Sequence, residues 1–126
     1  MKAGRYKIIP YVLYPFDVMV STQSYKELKK TLKERLPKGI HSEIQEMFED
    51  CTEQRCVMFS SGQTVIWFKK HPSYGQIAHE VFHAVDFLMN HIGMRLSEDS
   101  NEAYAYAIQY LCNEVYKFYH SKEEQK

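Results

Sequence analysis

The chain has 126 residues, 44% apolar and 14% aromatic; that suffices for one hydrophobic core but not two, so a single folded domain over 1–126 is expected. Sixteen basic and sixteen acidic side chains cancel, which removes the net field that would draw the protein to nucleic acid or an anionic membrane. Three cysteines without a CxxC pair, no secretory leader and no run of eighteen apolar residues point to a cytoplasmic, reducing compartment and free thiols. A Cys51–Cys56 disulfide is the alternative.

In chain order, "YKIIPYVLY" and "FDVMVS", either side of Pro15, are rich in β-branched and aromatic residues and predict two strands or one broken strand. Pro10 cannot donate to a ladder, so it argues for an edge position or a bulge. Ser24 is placed to cap a helix over 25–36, which "PKG" at 37–39 ends. "KELKKTLKER" (26–35) is the most basic run, but Leu28, Leu32 and Leu36 recur every four residues, so it reads as the solvated back of a core-facing helix.

Residues 41–50 carry Ile44, Met47 and Phe48 at helical spacing and predict a short amphipathic helix. The period then changes. "RCVMFSSGQTVIWFKK" (55–70) has two apolar runs around Ser61-Gly62, the pattern of a β-hairpin. A helix from about Ser73 to His91 follows, with Gly93 just past its end. A last helix, from Asp99 or Ser100 to Tyr119, carries Ile108, Leu111, Val115 and Phe118 as a core stripe, and the tail 121–126 is expected to fray. The elements predict an α+β domain, a small twisted sheet with the hairpin packed on helices.

The first of these two long helices contains "AHEVFH" (78–83). Four residues apart, His79 and His83 lie about 40° apart in projection and one turn apart in height, so both imidazoles can reach one ion. Zinc suits neutral imidazole nitrogen. Glu80 lies about 100° round from His79, beside such an ion rather than on it, where a carboxylate can take a proton from a water acidified by the metal. Ile77, Val81, Phe82, Val85, Leu88 and Met89 are expected on the core side, with Gln76, His79, His83, Asp86 and Asn90 forming a polar face. Two histidines at this spacing are also what an ordinary solvated helix carries.

A third donor is required. Asp86, three residues past His83, would strain a tetrahedron as a ligand and suits support of an imidazole better. The cysteines lack partners at ligand spacing. Glu102 in "SNEAYAYAIQYL" is the strongest choice, in the first turn of the last helix, where Ala103, Ala105 and Ala107 would let two helix backbones approach. Its bland reading is an acidic residue favoured by the helix dipole, with Tyr106 as core.

Taken together, "HEVFH" and "NEAYAY", with eighteen residues between His83 and Glu102, resemble the gluzincin clan of zinc metallopeptidases, to which thermolysin and many aminopeptidases belong. The likeness covers about 64–119 and looks most like minimal, single-domain members and small metallopeptidases of phages and mobile elements. It implies a zincin-like fold with two crossing motif helices, Zn2+ on His79, His83 and Glu102, Glu80 as general base, and peptide-bond hydrolysis of a peptide or protein substrate. The Asn101-Glu102 pair is similar to the thermolysin branch, whereas that branch has an aspartate where Tyr106 stands, leaving Asp86 to support a histidine. Tyr106 is the first candidate for oxyanion stabilisation, with His71 and Tyr74 behind it. Two other readings compete: a catalytically silent, zinc-containing module that grips a peptide or protein, and a metal-free interaction or nucleic-acid protein working through the basic helix at 26–35.

Overall fold

The computed structural model describes residues 5–10, 17–49 and 54–124, the last four by backbone alone. The order is β1 (Tyr6–Pro10), β2 (Asp17–Ser21), α1 (Tyr25–Arg35), a 3-10 turn (Lys38–Ile40), α2 (Ser42–Phe48), β3 (Gln54–Met58), β4 (Thr64–Phe68), α3 (Tyr74–His91) and α4 (Asn101–Glu124). It is an α+β fold built on one mixed sheet of order β1-β2-β4-β3. The strands β1 and β2 pair antiparallel, as do β3 and β4, while β2 and β4 run parallel. Parallel neighbours need a long crossover, and α1, α2 and β3 fill it. No helix among the described residues is long and apolar enough to cross a membrane.

Period-two alternation divides the sheet's side chains between two cores. Ile9, Val18, Val20, Cys56, Ile66 and Phe68 face α3 and α4. Met19, Val57, Val65 and Trp67 face the other way, onto Leu28 and Leu32 of α1 and Ile44 and Phe48 of α2. All five residues of β4 are buried, as expected for a strand covered on both faces. Pro10 closes β1, which is an outer strand, so its missing N–H costs the ladder nothing.

Local signals set the element ends. Ser24 and Glu27 form a capping box on α1, and Ser73 and Gln76 form another on α3. Gly62, at φ 95°, closes the β3–β4 loop: its N–H donates to the Phe59 carbonyl and Phe59 N–H donates to Gln63, a three-residue turn ending in a left-handed glycine. Gly93, at φ 86°, ends α3; its N–H bonds to the Asn90 carbonyl and that of Met94 to Met89, the paired closure of a Schellman motif.

Three expectations are corrected. Phe82 is 40% exposed rather than on the core side of α3. Ala105 faces solvent, and the contact of α4 is made by Tyr104, Ala107, Leu111, Val115 and Phe118, with Ile108 half-buried at its margin. The helix α4 itself runs beyond the Tyr119 end expected for it, to Glu124. Pro15, Cys51 and the tail's last two residues lie outside the described residues, and with Cys51 the proposed disulfide; Cys56 and Cys112 are free thiols.

The long last helix is pinned to the sheet along its length. The Tyr110 hydroxyl donates to the Pro10 carbonyl (2.5 Å) and that of Tyr119 to Ser21 (3.3 Å), while the Arg5 guanidinium lies 4.2 Å over the Phe118 ring and bonds to its carbonyl. Leu111→Ala, which empties a fully buried position in this layer, should lower the unfolding free energy by about 2–5 kcal/mol in denaturant titration. Gly93→Ala should cost roughly 1–2 kcal/mol through its positive φ alone, since an added Cβ would meet nothing within 4 Å.

Candidate metal centre

Helical geometry divides the motif of α3 between solvent and interior. His79 is exposed, its side chain 64% accessible, and His83 is half-buried, whereas Glu80 is 5% exposed. The two imidazoles stand edge to face with ring centres 4.9 Å apart. With Zn–N about 2.0–2.1 Å and a ring centre roughly 1.2 Å behind its nitrogen, two imidazoles sharing a tetrahedral ion have centres about 5 Å apart. His83 also stacks at 6.3 Å on Phe87, one turn further along, which limits its rotation.

Glu80 turns toward β3, one of the two outer strands of the sheet among the described residues. Its Oε2 accepts from Gln54 Nε2 at 2.5 Å and lies 3.8 Å from His79 Nε2. It is the one buried acidic side chain among the described residues. Gln54 lies just before the hairpin expected from the sequence; the signal that could have found it is the alternation that places Gln54 on the α3 face with Cys56 and Met58. Buried on that same face, the Cys56 thiol is pushed well above the ordinary thiol range, first by burial and then by the negative charge of Glu80.

The remaining candidates are not gathered with this pair. The two motif helices run side by side in opposite directions: the Tyr74 hydroxyl meets that of Tyr116 at 2.7 Å, and Asp86 lies close enough to Tyr104 to raise its phenol pKa, after burial. At about 1.5 Å per residue, that register sets Glu102 opposite the stretch around Leu88, more than a turn past His83. Glu102 and Asn101 are exposed, and Tyr106 is 64% exposed rather than core. Among the described residues no three His, Cys, Asp or Glu side chains are grouped to hold a metal ion. The ring separation on α3 matches that of two imidazoles on one ion, and among the described residues no third donor is grouped with them.

Asp86 is occupied by its own helix, accepting from Asn90 Nδ2 at its Oδ1 (3.1 Å) and its carbonyl (2.8 Å). His71 and Tyr74 belong to a separate ring cluster near the start of α3. Tyr74 stacks on Tyr116 at 5.0 Å, and His71 packs edge-on against Tyr119 and His120.

No protein-family model matches the chain, and neither a curated protein nor a solved structure shows significant similarity to it.

The thiol beside Glu80 gives a direct check on this packing. A raised thiol pKa means the folded state holds its proton more tightly than the unfolded one. The stabilisation is therefore complete below the ordinary thiol pKa, about 8.5, and is lost as pH rises through the folded value. Alkylation of native protein at pH 8.5, read by peptide mass spectrometry, should modify half-buried Cys112 faster than Cys56 by on the order of tenfold or more. Equal rates would contradict the burial of Cys56.

Proposed function

We propose that the protein is a zinc-dependent peptidase of the gluzincin kind, zincin-like in its arrangement of sheet and motif helices, in which His79, His83 and Glu102 would hold the ion and Glu80 is the general base. The observation that carries this reading is the pair of imidazoles at ion-sharing separation with a buried carboxylate next to it on the same helix. A zinc ion held there supplies Lewis-acid polarisation of a scissile carbonyl and acidifies a water.

The protein's own contribution follows from its geometry. Glu80 sits beside the imidazoles, within reach of His79 but directed to β3, so its carboxylate can take a proton from water and return it to a leaving amine. The helix α3 fixes the relative placement of all three side chains. Glu102 would join from the solvent-facing side of α4, and Tyr106, exposed one turn further on, is available to a substrate oxyanion.

The substrate would be an extended segment of a peptide or protein. Phe59 N–H donates to Gln63, so alternation along the β3–β4 register turns the backbone groups of Cys56 and Met58 away from β4, toward the outer edge of the sheet. Such an edge accepts an extended chain by main-chain hydrogen bonds. Next to it, a groove of about 530 Å³ is lined by Met47, Met58, Phe87 and His91 among others. The competing reading, a catalytically silent, zinc-containing module that grips a peptide or protein, draws on the same edge.

Elemental analysis of purified protein should find about one zinc per chain, falling in His79→Ala and in Glu102→Ala. Against a broad peptide library, wild type should cleave and Glu80→Gln should retain the metal but lose about 100-fold or more in rate. Zinc retained with no cleavage by either protein would favour the binding module, and protein that never takes up zinc would sink both.

A further inference from the structure

The carboxylate of Glu80 is held by a residue outside the HExxH motif. Gln54 opens β3 and is the last of the β3–β4 register pairs, opposite Phe68. Its side chain crosses to α3 and donates from Nε2 to Glu80 Oε2. A buried carboxylate without such a donor would be costly, since desolvation of an unpaired charge is among the largest single penalties in a fold. The kind of donor also matters. A lysine or arginine here would form an ion pair with the carboxylate, whereas a neutral amide orients it without bringing in a charge.

The contact is one-sided. Oε2 lies near both Gln54 and His79, and among the described residues no donor engages Oε1. One oxygen is therefore anchored to the sheet, and the other is left to accept from water. Because Gln54 belongs to β3, which pairs in register with β4, its amide ties the carboxylate's angle to the sheet rather than to α3 alone.

We infer that Gln54 is a positioning residue for Glu80, holding Oε2 so that Oε1 faces the water from which a proton is taken. This rests on the hydrolytic reading above. With the best-cleaved library peptide as probe, Gln54→Met, which keeps the length and removes the donor, should lower kcat by about tenfold to a hundredfold while KM and zinc content stay within about twofold of wild type. Gln54→Ala, which removes the amide without adding volume, should lower kcat to a similar extent and serves where Gln54→Met does not fold. A loss confined to KM, or an unchanged kcat in a folded variant while Glu80→Gln abolishes cleavage, would overturn the inference and leave the hydrolytic reading standing. If wild type cleaves nothing that Glu80→Gln spares, the reading fails and the inference fails with it.

Discussion

The burial of β4 on both faces is the constraint from which the rest follows. Each of its five residues is inaccessible, with Val65 and Trp67 in one core and Ile66 and Phe68 in the other. A strand of this kind requires a helical layer on either side. The layer of α1 and α2 is supplied before the strand, and α3 and α4 must supply the other after it. With β4 leading through a few residues into the Ser73 cap, α3 has little freedom in how it lies on the sheet. Ile77, Val81, Ala84, Val85 and Leu88 take the inward face, and every other position on the helix is assigned by the 100° step from these.

That step separates the chemistry of the motif. Facing out, His79 and His83 are accessible to a ligand, and the one-turn spacing keeps their rings in contact. One residue from His79, Glu80 falls on the flank nearest β3, where it is buried and needs a donor. The sheet provides that donor from its outer strand β3. A buried carboxylate acts on its neighbours through weakly screened surroundings. The effect reaches Cys56, whose thiol is kept protonated in part by the same charge.

What was legible in the sequence was local. Ser24, Ser73, Gly62 and Gly93 act through their own backbone and nearest neighbours, so their roles as caps and turns could be read from spacing. The HExxH pair was legible for the same reason, since its geometry lies within five residues of one helix. The parallel pairing of β2 with β4 was not, because it joins strands more than forty residues apart and depends on both cores at once. Phe82 misled because the apolar face was judged by residue type, while the actual face is narrower. Gln54 escaped because its significance comes from a contact across twenty-six residues with Glu80.

Glu102 shows the difference between spacing along the chain and register in space. Eighteen residues from His83 is a statement about sequence, but α3 and α4 are aligned by Tyr74 with Tyr116 and Asp86 with Tyr104. That alignment carries Glu102 past the histidines toward the end of α3. Two imidazoles already paired on one helix lose little further freedom on taking up an ion, whereas a donor from the neighbouring helix must be brought in. In the proposed peptidase, the free energy of metal binding would have to supply that step, coupling the site's assembly to the packing of Tyr104 and Ala107 against α3. The metal would then act as a structural link between the two helices as well as a Lewis acid, and the segment 92–100 joining them would bear the adjustment.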